Sequence, residues 1–316
     1  MKLRMGYLVL GVSKTERWKD FCERMLGLPA PLSNTDGSFG WRIDANAQRL
    51  IVQEAADDDL QALGIDCIDT QGLEAAVRRL ADGGVHVMPG SAALVAARRV
   101  EQLYVTQDPA GNTVELFCGM QQASDPFRSA AFPGGFRTGD LGFGHAVLVS
   151  HDLAAMESFY GLLPGFGVTE RLDTKVGPIE IRGVFMHCNA RHHSLALFDL
   201  PSAKRLHHFM LQANDAMDVG RAMERARDLG VPLALDLGQH PKPDGTLSFY
   251  GITPSGFDFE IGAGSGEIDP ESWGTMKTAV TSSWGHRPQW RLKLRMAHAL
   301  VAHKLGRRRV KAGSKA

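Results

Sequence analysis

One order of secondary-structure elements occurs four times along this sequence, and that repeat constrains the fold more than any other feature. In the first unit, alternation of apolar and polar residues predicts a strand over 4–10. A helix pattern follows over 15–26 and ends at Gly27, a residue that commonly caps helices. Short strands are predicted near 38–43 and 49–53. One unit is therefore a strand, a helix and several further strands.

The remaining three units keep this order. They begin with predicted strands at 64–69, 142–150 and 207–213, and their helices are predicted at 73–81, 153–163 and 217–229. Units two and four also end alike, because 108–115 and 253–260 each place a Pro/Gly turn before a strand, with Glu six residues after the Pro. The sequence therefore predicts an α+β protein of two homologous domains, each built from two βαβββ modules.

The chain divides into four predicted parts. Residues 1–120 form the first module pair, and 121–140, rich in Pro, Gly and Ser, is the natural linker. Residues 141–271 form the second module pair. Residues 272–316 are a basic C-terminal extension.

Charge is distributed unevenly although the net charge is zero, with 35 basic and 35 acidic residues. The extension holds 11 Lys and Arg and no acidic residue, so the rest of the chain is acidic. Residues 287–306 are predicted to form an amphipathic helix that carries Trp290, Leu294, Ala297 and Val301 on one side. We expect this helix to dock on the acidic body or on a neighbouring subunit and to take no part in the chemistry. Contact with a membrane surface or nucleic acid is the alternative.

Cysteine usage and hydropathy limit the class of protein. The four cysteines form no CxxC pair, which is typical of reduced thiols in a cytoplasmic protein. No apolar stretch approaches the ~20 residues of a membrane span, and the first residues do not read as a signal peptide. The balanced charge gives no indication of a nucleic-acid partner.

Histidines distinguish the two predicted domains. His145 occupies the strand position at which the first domain has Tyr7, and His207 and His208 lie on a strand whose counterpart has no His. The glutamate is common to both domains, as Glu115 and Glu260. Only the second domain therefore offers two His and one Glu on three strands.

Two imidazoles and one carboxylate on one face of a metal form the facial triad, which suits non-haem Fe(II) chemistry with O₂. Strand alternation places His145 on a face with Val147, and it favours His208 over His207, which is predicted to point the other way. The alternative is that the strand histidines are ordinary core or surface residues. His192 and His193 are expected to lie close together, where a His beside the metal can move protons. Tyr250 is either a hydrogen-bond donor to a phenolic substrate or a core residue.

Five segments together carry a family resemblance: GFGHAVLV, MHCNARHHSLAL, KRLHHFMLQANDAMDVG, LSFYGITPSGFDFEIG and SSWGH. In these segments the chain resembles the two-domain extradiol ring-cleavage dioxygenases of the vicinal oxygen chelate superfamily, and most of all the 2,3-dihydroxybiphenyl 1,2-dioxygenases. The resemblance runs from about residue 3 to residue 286, and the extension beyond His286 lies outside it.

The resemblance implies roles for ten residues. It makes His145, His208 and Glu260 the ligands of Fe(II), His193 the acid/base, and His240 and Tyr250 donors to the bound oxygen and substrate. Val147, Phe185 and Leu200 are implied to line an apolar pocket, and Asp244 to lie beside the substrate. The loop from His240 to Phe249 is one residue longer than the family usually has, with Pro-Lys-Pro in it, which affects the register of Asp244 and the specificity.

The implied activity is Fe(II)-dependent extradiol cleavage of a catechol, which inserts both atoms of O₂ and gives a 2-hydroxy-6-oxo-dienoate. The expected substrate is bicyclic or larger, such as 2,3-dihydroxybiphenyl or a steroid catechol. The resemblance also implies a homo-oligomer. The alternatives are a glyoxalase-type isomerase or thiol transferase on the same scaffold, and a non-catalytic small-molecule binder. The sequence leaves open whether the metal is Fe(II) or Mn(II).

Overall fold

In the computed structural model, which describes residues 2–176, 179–297 and 301, the chain folds into two mixed β-sheets with α-helices packed against them. The first sheet contains β1 (Arg4–Val12), β2 (Leu32–Ser33), β3 (Phe39–Trp41), β4 (Leu50–Glu54), β5 (Leu60–Asp66), β6 (Met88–Pro89), β7 (Gln102–Gln107) and β8 (Thr113–Cys118). The second contains β9 (His145–Val149), β10 (Gly167–Val176), β11 (Ile179–His187), β12 (Leu195–Asp199), β13 (Leu206–Gln212), β14 (Leu233–Gln239), β15 (Leu247–Ile252), β16 (Asp258–Ala263) and β17 (Met276–Thr278).

Strand order confirms the predicted duplication. The first sheet runs β2-β3-β4-β1-β5-β8-β7-β6, and the second runs β10-β11-β12-β9-β13-β16-β15-β14 with β17 added beside β10. In each module the first strand pairs in parallel with the last, as β1 does with β4 and β13 with β16. The first strands of two modules pair antiparallel at the centre of each sheet. Both halves therefore repeat one topology.

The helices that precede the C-terminal extension pack on the sheets through their apolar sides. They are α1 (Thr15–Asp20), continued by a π-helical turn (Phe21–Met25), α2 (Thr70–Asp82), α3 (Ala92–Arg98), α4 (Leu153–Gly161) and α5 (Ala216–Asp228). Asp69 caps α2 by accepting a hydrogen bond from the backbone N–H of Gly72, as expected for an acidic N-cap. Helix α3 was not predicted, and the described residues between β14 and β15, the corresponding place in the second half, contain no helix. Among the described residues, no helix combines the length and apolar character that a membrane span requires.

The two halves share one hydrophobic core. The indole N–H of Trp18 donates to Ser255 Oγ at 2.9 Å, and the ring of Phe21 packs edge-on against Phe259 with centroids 5.1 Å apart. The predicted linker also enters this core, since Phe132 and Phe136 are buried in it. The halves are thus joined by side-chain packing as well as by the chain.

The C-terminal segment crosses from one edge of the second sheet to the other. Strand β17 pairs with β10, and the segment then makes isolated bridges to β14, from Trp284 to Gln239 and from Pro288 to Leu235. A helix follows over 290–297. The part of the predicted helix beyond 297, except residue 301, lies outside the described residues.

The docked face of this helix differs from the prediction. Trp290, Leu294 and Val301, expected on the packing side, are 66%, 49% and 57% exposed. The helix contacts the body through the opposite side, where Arg295 pairs with both carboxylate oxygens of Asp258 at 2.7 and 3.0 Å. The prediction failed because apolar spacing cannot reveal that a buried carboxylate fixes the rotation of the helix.

Candidate metal centre and catalytic pocket

Three adjacent strands bring His145, His208 and Glu260 together, as their positions in the sequence predicted. His145 is the first residue of β9, and Met210 pairs opposite it on β13 and also beside Glu260 on β16. Strand alternation then places His208 on the same face as Met210. All three residues are at most 6% exposed.

The candidate ligand atoms of these residues form a nearly equilateral triangle. His145 Nε2 lies 3.2 Å from His208 Nε2 and 3.2 Å from Glu260 Oε2, and His208 Nε2 lies 3.4 Å from the same oxygen. Two imidazoles and one carboxylate so arranged match one face of an octahedron and leave the opposite face for other ligands. This geometry fits a divalent metal.

The charges of the group agree with a cation site. Burial lowers the pKa of His145, so its ring stays neutral and keeps a lone pair. Burial alone would raise the pKa of Glu260, but the neighbouring imidazoles of His145, His208 and His240 hold it well below its usual range. Glu260 Oε2 is buried and accepts no hydrogen bond from any residue that the structure describes. An ionised, unpaired oxygen of this kind needs a positive partner.

His207 does not point away as alternation predicted. The pairing of β13 with β9 shifts register between Leu206 and His208, and both histidines line the same cavity. The Nδ1 atoms of His207 and His208 lie 2.7 Å apart. His207 thus holds the ring of His208 through the nitrogen that faces away from the triangle, a common support for metal-ligating histidines.

The first half carries a neutralised copy of the site. Tyr7 stands at the position of His145 and Ala62 at that of His208, while Glu115 is retained. The guanidinium of Arg98, at the end of α3, donates to Glu115 Oε2 at 2.8 Å and to Oε1 at 3.1 Å. Tyr7 donates to the same carboxylate at 2.5 Å. In the first half, the positive charge beside the shared glutamate therefore comes from the Arg98 guanidinium, whereas the geometry of the second half fits a metal ion there.

Replacement of Arg98 by Met is expected to lower the free energy of unfolding by about 3–5 kcal/mol, because it strands the buried Glu115 carboxylate without a partner. Urea unfolding measures the change. The double variant Arg98→Met/Glu115→Gln should recover most of the loss, since no buried charge then remains. Equal losses in the single and double variants would show that the ion pair is not the cause.

His193 lies beside the triangle and faces the cavity. Its ring packs on that of His145 with centroids 4.2 Å apart, and Phe185 contacts it edge-on at 4.9 Å. His193 Nδ1 lies 3.0 Å from His192 Nδ1. Burial, then the neighbouring imidazoles of His145 and His192, hold the pKa of His193 well below its usual range. The ring is therefore neutral, so it has a nitrogen lone pair with which to accept a proton from a bound ligand that is acidic enough.

His240 and Tyr250 form a second polar pair at the site. His240 Nδ1 donates to the backbone carbonyl of Thr281 at 2.6 Å, and its Nε2 lies 2.9 Å from the hydroxyl of Tyr250 and 3.4 Å from Glu260 Oε1. Burial opposes the charged form of His240, yet Glu260 raises its pKa to about 9. Burial, followed by Glu260, raises the pKa of Tyr250, which stays a phenol. Both groups can donate hydrogen bonds beside the metal position.

A cavity of ≈370 Å³, partly open to solvent, adjoins the triangle and falls within the size range of small-molecule sites. The predicted pocket residues Val147, Phe185 and Leu200 all line it, and so does Asp244. Asp244 accepts a hydrogen bond from Thr246 at 2.6 Å, and its carboxylate groups with His192 and His193 within 4.8 Å. The long loop thus still brings Asp244 to the site.

Sequence reasoning missed several residues of the pocket. Glu170 lines it with a carboxylate oxygen 3.7 Å from Nε2 of His192, which the sequence had placed near the site, and His286 packs on His240 with ring centroids 4.6 Å apart. Only His286 had a signal, as the last residue of the SSWGH segment. The C-terminal extension, of which no chemistry was expected, also borders the pocket: its residues Thr278, Val280, Thr281, Ser282, His286, Pro288, Leu292 and Met296 line the cavity.

Comparison with known proteins decides the family. Residues 142–261 match the Glyoxalase/Bleomycin resistance protein/Dioxygenase superfamily, and residues 5–54 match Dihydroxybiphenyl dioxygenase BphC D1. A 3-methylcatechol 2,3-dioxygenase of Pseudomonas putida is 39% identical over 90% of this chain and 98% of its own length. A biphenyl-2,3-diol 1,2-dioxygenase of a Pseudomonas species is 38% identical, over 90% and 97%. The chain belongs to the extradiol catechol dioxygenases.

Solved structures agree with this assignment of the dioxygenase. This chain superposes on the structure of a catechol 2,3-dioxygenase with a TM-score of 0.84 at 30% identity, over 90% of this chain and 94% of the other. A 2,2',3-trihydroxybiphenyl 1,2-dioxygenase from Sphingomonas wittichii gives 0.80 at 29% identity, over 92% and 100%. The fold and the reaction class implied by the sequence are confirmed, and the dioxygenase requires a metal.

Proposed function

We propose that the dioxygenase uses Fe(II), held by His145, His208 and Glu260, to cleave a catechol that carries a bulky apolar substituent beside the diol. The observation that carries this proposal is the near-equilateral triangle of ligand atoms beside a cavity whose lining surface is mostly apolar. Bound Fe(II) would supply a Lewis acid and an electron path between the diol and O₂. A Mn(II)-bound glyoxalase at 20% identity shares the fold alone, so it does not bear on the metal.

The chain's own groups would orient the substrate and move its protons. The neutral ring of His193 would take a proton from the diol and return it later to the product oxygen. Tyr250 and His240 would donate hydrogen bonds to the substrate oxygens. Asp244 lies close to His193 and would help to hold it in place.

The apolar part of the cavity supports a bicyclic substrate. Val147, Phe185 and Leu200 lie on three neighbouring strands or their ends, and together they would enclose a second ring. Relatives named for 3-methylcatechol and for biphenyl-2,3-diol are similarly close to this chain. The size of the cavity favours the larger of these two substituents.

An activity panel on anaerobically prepared, Fe(II)-loaded protein tests the proposal, with Mn(II)-loaded protein in parallel. The panel compares 3-phenylcatechol with catechol, 3-methylcatechol and a fused-ring catechol, and follows both yellow product and oxygen uptake. We expect the highest kcat/KM for 3-phenylcatechol with Fe(II). Iron-replete protein that neither forms colour nor consumes oxygen would favour an isomerase, a thiol transferase or a binder, and a preference for unsubstituted catechol would refute the bulky substrate.

Two further properties remain proposals of the same kind. We propose a homo-oligomer, which the family resemblance implies. The four cysteines are free and buried, in agreement with the cytoplasmic location that we propose.

A further inference from the structure

The helix over 290–297 lies against the cavity, although it falls beyond the part of the sequence that resembles the family. The preceding segment spans the gap between the two edges of the second sheet, β10 and β14. The helix begins directly after the bridge from Pro288 to Leu235. Its first turns therefore start at the rim of the cavity.

Two side chains of this helix form part of the cavity wall. Leu292 and Met296, one helical turn apart, both line the cavity and are partly buried. Leu294 lies between them in sequence, is 49% exposed, and does not line the cavity. One face of the helix therefore contributes apolar surface to the pocket.

An ion pair fixes this face toward the cavity. Arg295 donates to both carboxylate oxygens of Asp258, and to the backbone carbonyl of Gly256 at 2.7 Å. Asp258 is 96% buried, and it precedes the candidate ligand Glu260 by two residues on β16. Nη2 of Arg295 binds both carboxylate oxygens and Nη1 binds the Gly256 carbonyl, so two nitrogens of one guanidinium restrict rotation of the helix. The wall is thus held to the strand that carries the metal-binding glutamate.

We propose that Leu292 and Met296 are specificity-determining residues, which contact the ring substituent of the catechol and are held in place by the Arg295–Asp258 ion pair. This inference rests on the proposed function for its substrate class. It assigns selection by substrate size to a part of the chain outside the four modules. A larger or smaller side chain at either position changes the space for the substituent.

Matched leucine substitutions test the proposal. Leu292→Ala is expected to lower the ratio of kcat/KM for 3-phenylcatechol over that for catechol at least about fivefold, because it removes apolar contact with the second ring only. Leu294→Ala, on the same helix, should leave the ratio within about twofold. Equal shifts in both variants, or none in either, would overturn the proposal.

Equilibrium binding separates this inference from the proposed reaction. Calorimetry without oxygen on Fe(II)-loaded protein should show Leu292→Ala weakening biphenyl-2,3-diol at least about fivefold, with catechol unchanged. If Leu292→Ala weakens binding in this way but the wild-type protein shows no turnover, the proposed function fails and the inference stands. Wild-type protein that binds neither diol overturns both.

The ion pair is tested by Arg295→Gln, with Arg291→Gln as the control on the exposed side of the helix. Arg295→Gln should lower the same binding ratio as Leu292→Ala does, because the wall loses its anchor. Arg291→Gln should leave it unchanged, since Arg291 contacts the ring of Trp290 rather than Asp258. An unaltered ratio in Arg295→Gln would show that the ion pair does not position the wall.

Discussion

Substitution of His208 by Ala is expected to remove the bound metal and to reduce ring cleavage at least about 10³-fold, because several kcal/mol of transition-state stabilisation go with the metal. His208 Nε2 is one corner of a triangle whose edges are 3.2–3.4 Å, so its loss leaves two ligands where three converge. Metal content per chain after desalting, measured by mass spectrometry, is the first readout.

His207→Ala is the matched control for this variant. His207 is adjacent in sequence and supports the His208 ring at 2.7 Å, so its removal should weaken metal binding by only about tenfold. Protein loaded with excess Fe(II) should therefore retain most of its activity. If His207→Ala loses the metal completely and His208→Ala keeps it, the assignment of the ligand is reversed.

His193→Phe is expected to keep the metal and to bind catechol, but to lose turnover by about 10²–10⁴-fold. Phenylalanine preserves the ring that packs between His145 and Phe185, so the cavity should keep its shape. What is lost is the ring nitrogen that accepts and returns a proton. Metal analysis, anaerobic catechol binding and oxygen uptake together separate binding from turnover.

His151→Phe controls for the loss of a histidine as such. His151 is exposed and pairs with Asp199, away from the cavity, so this variant should keep full activity. Near-normal turnover in His193→Phe would remove His193 from the reaction. Loss of metal in that variant would instead assign it a structural role beside His145.

The fold could be predicted from the sequence because its signal is repeated. A strand, a helix and further strands in one order, four times over, give a topology that no single element could specify. The metal-ligand candidates followed from the comparison of the two halves, where His145 replaces Tyr7 and Glu260 matches Glu115. Duplication thus supplied an internal reference for the function.

Features that depend on contacts between distant parts of the chain could not be predicted from the sequence. The position of His207 follows from a register shift between β13 and β9, which alternation cannot anticipate. Arg98 meets Glu115 only because α3 folds back over the first sheet, and no pattern in the sequence joins them. The docked face of the C-terminal helix depends on Asp258, which lies 37 residues earlier in the chain. In each case a non-local contact decides what a local pattern leaves open.

The common core of the two halves limits how such a protein can diversify. Trp18 and Phe21 of the first half pack against Ser255 and Phe259 of the second, close in sequence to Glu260. A second half acquired by recombination would need a surface that packs against Trp18 and Phe21 of the existing first half. Change in this lineage is therefore easier by point substitution around the pocket, or by additions at the C-terminus, than by exchange of whole modules.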